Sequence, residues 1–579
     1  MMTEDSVRIR QRSGAAIVEA LKAEGVEHIF GLVGSHVLEI YDALADEPTI
    51  RHITVKHETA ASGMADAYGR LTGKPGVVLV TAGPGATNSL TGVAQAYMSA
   101  SPMIHISGAV PTGASYESFH GVDKPDFLVR MFAEVTKWSV AIERPEEIPH
   151  VFARAFAIAT SGRPGPVHIE IPQDVLLADA TLMDQYECQT IPPLRLAEVE
   201  LAQLVAAIKG SRRPVIFAGK GIRATFADEA LVELAELLEA PVILAGDAAG
   251  ALPDTHPLST GQLGLYAHTP LQRQLAAEAD LIVAVGERGA TGHADILFAA
   301  ANAPVVGIWL GDAGDAPDPR SRGGAVADLP VALGQLIEAC GDQQRPVDAA
   351  LRERIAHGKD GLRRHIREGI RRDYGQARPL HYALALDALP EIVDADTIVL
   401  GDIGSHNQWT RLVLQTLNRT TFTPEGYWGA MGFGLPAALA AKVANPDKKV
   451  IAVTGDGCFL MASADFATGV ESGLNPVIII LNDRQYGMIV GMQERSYGRA
   501  SETALDGPDF VAFARSFGAD GMRVEEPEQL REALERGLVS STIFVIDVQC
   551  DYLCWPFTPS GVIWWQSGGG SAGIEPRAE

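Results

Sequence analysis

KVIAVTGDGCFLMASADFATGVESGLNPVIIILNDRQYGM, residues 449–488, is the stretch from which the fold follows. Its apolar run 450–453 reads as a strand buried on both faces. Thr454-Gly455-Asp456-Gly457 reads as a glycine-flanked turn that leaves one carboxylate at the strand's carboxyl end. Residues 459–473 read as a helix, and 476–481 as a second buried strand that delivers Asn482 and Asp483 to the same sheet edge. Strand, helix and strand in this order make a right-handed parallel crossover, so the expected class is α/β. Two acidic groups meet at a crevice.

The same alternation extends in both directions. Within an expected first domain, 1–185, GVEHIFGLVG, IRHITVK, PGVVLVTAG, SPMIHISGAV and PGPVHIEIP read as short strands, each followed by helical periodicity or a turn. Pro192-Pro193 marks a linker, and RRPVIFAGKG, APVILAG, ADLIVAVGE and APVVGIWLG are the strands of a central domain, 195–342. Residues 343–378 are highly charged with helical spacing, a solvated connecting helix. In the third domain, 379–550, the strands are TIVLGDIG, KKVIAVTG, NPVIIILND and STIFVIDVQ. The expectation is three open parallel-sheet α/β domains, the first and third sharing a plan of similar length, with no short-period repeat.

Composition narrows the function classes. The 579 residues, 47% of them hydrophobic, suffice for several cores. A net charge of −25 argues against nucleic acid and anionic membrane as partners. Five cysteines lack zinc spacing and read as reduced thiols. The N-terminus has no apolar core of a signal peptide, and no run reaches the length of a transmembrane helix, so a cytoplasmic enzyme acting on small molecules is expected.

A hard cation such as Mg2+ takes oxygen ligands, commonly one or two carboxylates with phosphate and water. A strand, a glycine turn and a helix N-terminus suit a diphosphate. Taken alone, Gly-Asp-Gly is more often only a tight turn. The whole constellation resembles the signature of thiamine diphosphate-dependent enzymes, which opens with Gly-Asp-Gly and closes with Asn-Asn or a variant of it. The catabolic acetolactate synthases look most similar, since they also carry Asp where Asp483 stands. The resemblance implies Mg2+ held by Asp456, Asp483 and the backbone carbonyl of Gln485, with Gly455, Gly457, Cys458, Gly487 and Met488 around the cofactor.

It also carries over to the rest of the chain. His57-Glu58, then Thr81-Ala82-Gly83-Pro84-Gly85-Ala86-Thr87-Asn88, then Gly-Asp-Gly is the motif order of the acetolactate synthase-like group. Thiamine must lose its C2 proton to its own 4′-imino group, once a carboxyl group at N1′ has tautomerised the aminopyrimidine. Glu58 is implied as that group. By itself a glutamate at a helix start is more often a favourable charge at the dipole's positive end. Pro84 and Asn88 are implied beside the cofactor. So are Gly404, Ser405 and His406 in GDIGSHNQW, although His406 has the alternative of capping the following helix. Met431, with Gly429, stands 25 residues before Asp456. It is similar to the apolar residue that wedges between the two cofactor rings, its bland alternative being a core methionine.

For substrate contact the resemblance points to Ser35, His36, Phe119 and His120. The carboligase benzaldehyde lyase is similar in having a histidine at the position of His36. His120 stands where relatives have Gln, and two imidazoles could move protons at neutral pH. Met492 replaces the tryptophan that selects a larger acceptor in the anabolic enzyme. The strand ends ADLIVAVGERGATGHAD and VVGIWLGDAGDAPDP make no FAD site evident. A complete site is implied between the first domain of one subunit and the third of its partner, hence a homodimer or a dimer of dimers. The expected activity is formation or cleavage of a carbon–carbon bond next to the carbonyl of a 2-oxo acid or 2-hydroxy ketone. The alternatives are a decarboxylase releasing an aldehyde and a non-catalytic cofactor-binding relative. In the tail, 551–579, Trp555, Phe557, Trp564 and Trp565 read equally as a water-excluding lid or as cover for an intersubunit seam, before a disordered Gly- and Ser-rich end.

Overall fold

Short runs of valine, isoleucine and leucine build three parallel sheets in a computed structural model that describes residues 10–114, 118–181, 186–262, 269–287, 301, 303–421 and 428–551. By internal packing the chain forms two units, Met1–Pro192 with Ala464–Ser472, and Pro193–Ser463 with Gly473–Glu579.

The first unit opens with β1 (Arg10–Arg12), whose antiparallel partner is β8 (Asp179–Thr181). Between them lie β2 (His28–Gly31), β3 (Arg51–Thr54), β4 (Gly76–Val80), β5 (Met103–Ala109), β6 (Trp138–Ala141) and β7 (Pro166–Pro172). These six form one sheet in the order β3-β2-β4-β5-β7-β6, with every pairing parallel. β4, β5 and β7 are buried along their whole length, as befits strands covered on both faces. The chain reverses direction across the sheet between β2 and β4, and such a switch opens a crevice at the carboxyl ends of the two strands.

Segment Ala464–Ser472 belongs to this unit although it follows the Gly-Asp-Gly turn in sequence. Asp465 Oδ1 accepts from the Lys56 amide at 2.7 Å, and the Thr468 hydroxyl donates to the Thr54 carbonyl at 3.1 Å. Lys56 Nζ reaches Glu471 at 2.5 Å, Arg51 donates to the Ser472 carbonyl at 2.8 Å, and Phe466 is fully buried.

In the second unit, β9 (Pro214–Ala218), β10 (Val242–Leu244), β11 (Ser259–Gln262), β12 (Leu281–Val285), β13 (Val305–Trp309) and β14 (Ser321–Val326) run in the order β11-β10-β9-β12-β13-β14. This is the doubly wound arrangement. Residues 288–295, on which part of the flavin expectation rests, lie outside the described residues. A charged helix, Ala349–Tyr374, follows. A further sheet contains β15 (Thr397–Gly401), β16 (Lys449–Gly455), β17 (Val477–Asn482), β18 (Asp520–Val524) and β19 (Phe544–Gln549), in the order β15-β16-β17-β19-β18. With edge strand β3 left out, the first sheet has this same order, so the shared plan extends to topology.

The expected parallel α/β architecture is present, with two kinds of difference. β1, β6, β8, β11, β14 and β18 are strands that the sequence pattern does not announce; β6, β11, β14 and β18 are edges of the parallel sheets, and β1 and β8 pair with each other. The helix expected over 459–473 instead starts at Asp456, runs to Ala462, tightens into a 3-10 turn at Ser463–Asp465 and resumes over Phe466–Glu471. The break falls where Asp465 turns to bind the Lys56 amide. The aromatic tail lies outside the described residues.

Candidate active site

Glu58 is the first residue of helix Glu58–Thr72, capped by His57 Nδ1, which accepts from the Thr59 amide at 3.3 Å. Its side chain is buried, at 8% exposure, and Oε2 accepts from Asn88 Nδ2 at 3.0 Å. Asn88 is placed by helix Pro84–Ser99, which starts at the carboxyl end of β4 with Pro84 in its first turn. The Thr59 hydroxyl donates to the Asn88 carbonyl at 2.6 Å, so the two helix starts hold each other. The Glu58 carboxylate is therefore buried, oriented by one amide and placed at a helix N-terminus. Its place in the first turn also sets its charge at the positive end of the helix dipole.

In the same unit, His36 follows β2. Its amide approaches the Thr81 hydroxyl at 3.4 Å, its Nδ1 lies 3.0 Å from the Ser35 hydroxyl, and its ring donates to the Phe119 carbonyl. The ring centroids of His36 and His120 are 5.1 Å apart, and Phe119, 71% exposed, stacks on His120 at 3.9 Å. Burial and then the neighbouring His120 hold His36 below the usual histidine range. His120 has φ +69°, and its Nδ1 is buried without a hydrogen-bond partner. Gly83, at φ +56°, lies so close beneath it that a Cβ would come within 2.5 Å of the His120 carbonyl oxygen. The glycine is required both by its backbone angle and by that approach. Ser35, His36, Phe119 and His120 are thus brought together in one unit with the Thr81–Gly85 turn.

The other candidate residues lie in the second unit. β16 and β17 pair in register, Gly455 opposite Leu481, so Asp456 and Asp483 leave adjacent strands at one edge. Both are buried, and no lysine or arginine side chain among the described residues pairs with either. Burial first, and then the charge of Asp483, pushes Asp456 up to about 7. Burial pushes Asp483 up to about 6 against the pull of the Tyr382 hydroxyl and the Gln485 amide. Asp456 Oδ1 accepts from Gly457 N at 2.8 Å, Asp483 Oδ1 from Gln485 N at 3.0 Å, and Asp483 Oδ2 from Tyr382 at 2.6 Å. Two facing carboxylates in a dry place repel each other, and this is the oxygen set a hard divalent cation takes. Among the described residues no group of three or more His, Cys, Asp or Glu side chains could hold a metal, so a cation here draws further ligands from carbonyl, water or phosphate. Arg484, at φ +55°, turns the chain toward helix Gly487–Tyr497, and Tyr486 N donates to the Thr503 carbonyl at 2.8 Å. That helix begins with Gly487 and Met488.

Around this turn, helix Ser405–Val413 starts after Gly404 with no side-chain cap, so His406 does not cap it. Its ring instead packs on Gly404 and Gly455, where added Cβ atoms would come within 2.5 and 3.2 Å of it. Burial lowers His406 to about 4, leaving it uncharged, with Nε2 buried and unpartnered. Cys458 donates to the Ile403 carbonyl at 3.1 Å. The half-buried Met431, next to Gly429 at φ +69° and Gly432 at φ +85°, sits on a turn tied to Asp402. That fully buried carboxylate accepts from Ile403 N at 2.8 Å, Gly432 N at 3.2 Å, Gly434 N at 2.8 Å and the Thr454 hydroxyl at 3.2 Å. Asp402 and Tyr382 are the residues sequence reasoning missed. Asp402 had a signal, an acid at a strand end inside GDIGSH. Tyr382 had none, lying 101 residues from its partner.

The glutamate lies beside one parallel sheet and the paired-carboxylate turn at the end of another of matching strand order. Three family profiles match in chain order. They are the N-terminal TPP binding domain of thiamine pyrophosphate enzymes over residues 11–127, their central domain over 201–310, and their C-terminal TPP binding domain over 402–548. The chain belongs to the thiamine pyrophosphate-dependent enzyme family, in its acetolactate synthase-like branch, and catalyses carbon–carbon bond chemistry. It is 35% identical to the probable acetolactate synthase large subunit of Methanocaldococcus jannaschii, over 93% of this chain and 92% of that one. Similarity to the acetolactate synthase large subunit of Parasynechococcus marenigrum is 34% over 94% and 89%. For acetolactate synthase isozyme 3 large subunit of Escherichia coli it is 34% over 93% and 95%.

Proposed function

We propose that the protein is a Mg2+-dependent carboligase that joins the fragment left by decarboxylation of a 2-oxo acid to a second carbonyl compound, with pyruvate as donor. The observation that carries this reading is the unneutralised Asp456–Asp483 pair at adjacent strand ends, which would seat a divalent cation. The names of the relatives support the substrate class. Asp456, Asp483 and the Gln485 carbonyl would hold the cation, while Gly404, Ser405, His406, Gly455, Gly457, Cys458, Gly487 and Met488 would surround the diphosphate. Bound thiamine diphosphate supplies a nucleophilic carbon and a sink for the electron pair released with CO2.

Glu58, held by Asn88, would hold and return a proton beside the pyrimidine ring, and Met431 would pack against the cofactor. His36, uncharged near neutral pH, accepts or returns protons at the substrate, with His120 as its neighbour. Each chain carries both halves of this machinery, and a homodimer or dimer of dimers in the cytoplasm is the proposed working form. Cys188, Cys340 and Cys458 are free thiols, which suits that compartment.

Product analysis tests the reading. Purified protein with thiamine diphosphate, Mg2+ and pyruvate, alone and with added aldehydes, is expected to give acetolactate or mixed 2-hydroxy ketones. Acetaldehyde as sole product would refute carboligation, and untouched pyruvate with cofactor bound would refute the donor.

A further inference from the structure

We infer that Tyr382 is a positioning residue for the cation site, its hydroxyl fixing the Asp483 carboxylate in the orientation that holds a divalent metal; this rests on the reading of Asp456 and Asp483 as ligands. The backbone explains how a residue so distant in sequence arrives there. Leu380 forms a parallel bridge with Cys550, Leu380 N donates to the Gln549 carbonyl at 3.0 Å, and Asp551 N donates to the Leu380 carbonyl at 3.0 Å. Cys550 N in turn donates to the Asn482 carbonyl at 2.9 Å. Residues 380 and 550–551 therefore continue the sheet beyond the ends of β17 and β19, and Tyr382, two residues on, is carried to Asp483.

The turn that projects it is locked. His381 Nδ1 accepts from Ala383 N at 3.1 Å, and its ring stacks on Tyr374 at 4.3 Å and meets Trp409 edge-on at 4.7 Å. Tyr382 itself is 4% exposed. Its O–H takes Asp483 Oδ2 at 2.6 Å while the Gln485 amide takes Oδ1 at 3.0 Å, so the carboxylate is gripped at both oxygens and cannot rotate.

The chemistry of the donor matters as much as its place. A lysine or arginine would orient Asp483 and also cancel its charge, competing with the metal. A neutral hydroxyl orients it and leaves both negative charges for the cation. Each carboxylate oxygen retains a further lone pair for coordination. Groups that orient metal ligands in this way typically govern metal affinity by about 10–100-fold.

The test is titration of Mg2+ at fixed thiamine diphosphate, following cofactor binding by tryptophan fluorescence or circular dichroism. It compares the unmodified protein, Tyr382→Phe, Asp456→Ala, and Tyr382→Phe in an Asp483→Asn background. Tyr382→Phe is expected to weaken apparent Mg2+ affinity by about 10–100-fold. The loss is expected to shrink in the Asp483→Asn background, since coupled residues are not additive. A Tyr382→Phe protein with unaltered Mg2+ affinity, whether or not its metal-free melting temperature falls, overturns the inference while leaving the cation site intact. An equal loss in both backgrounds also overturns it, because the hydroxyl would then act through packing alone. Mg2+ dependence that survives Asp456→Ala overturns the cation site itself and the inference with it.

Discussion

With Asp456 raised to about 7 and Asp483 to about 6, protons would compete with the proposed metal in the neutral range. Ligands must be deprotonated to bind, so apparent Mg2+ affinity should fall as pH drops through 7 toward 6. Titrations at pH 8, 7 and 6 check this, and a pH-independent affinity would count against these two residues. At Glu58 the expected effect is on turnover rather than binding. Glu58→Gln should lower kcat by about 10²–10⁴-fold with thiamine diphosphate still bound, as is usual for a lost acid–base group. His36→Ala should lower kcat or redirect products while Mg2+ affinity holds, and unchanged kinetics would remove His36 from the site. The placement of Glu58 at a helix start and of Asp456 and Asp483 at adjacent strand ends was legible in the sequence because each sits in a short motif whose neighbours are equally constrained. The residues that orient them were legible only in part. Asn88 shared a motif with the TAGPG turn, whereas Tyr382 reaches Asp483 through a backbone bridge that no local pattern encodes.

At the scale of elements, the strands legible in sequence are those buried on both faces. PVIIIL and VVLV are continuous apolar runs, because a covered parallel strand has no solvent side to mark with polar residues. β18, DGMRV, and β14, SRGGAV, are edges whose residues alternate between core and solvent or carry glycine, and such runs look like loops. The turn after β4 makes the sharpest element-scale prediction. Gly83 has ψ −109° as well as positive φ, a region essentially closed to other residues, and it abuts His120. Gly83→Ala should cost about 1–3 kcal/mol of stability through strain. By displacing His120 it should also disturb kinetics more than a mutation of equal cost elsewhere. Thermal melting alongside kcat/KM measures both, and a stable, fully active variant would show that the turn tolerates a side chain.

For the molecule as a whole, Asp456, Asp483 and the buried Glu170, raised to about 7, give pH dependence of one sign. Each has a folded-state pKa above its unfolded value near 4, so the folded protein binds more protons between them. These groups cost nothing below about pH 4, and their full destabilisation is present above about pH 7. Metal-free protein should therefore lose melting temperature as pH rises from 5 to 8 by way of these three groups. Mg2+ with cofactor should restore part of it at the alkaline end, through Asp456 and Asp483 and not Glu170, by about 2.7 kcal/mol when ligand is a hundredfold above Kd. Calorimetry in chelator and in Mg2+ decides this. The placement of Ala464–Ser472 bears on what a piece of this protein can be. A fragment ending at the Pro192-Pro193 linker would look complete by sequence, yet it would lack the residues that bind the Lys56 amide and the Thr54 carbonyl. That amide immediately precedes His57-Glu58. Severed there, the N-terminal part would carry a vacant slot beside its own glutamate, which a synthetic peptide of residues 464–472 could fill. The gene cannot be shuffled one sheet at a time, because one sheet's last brick is laid inside another's coding sequence.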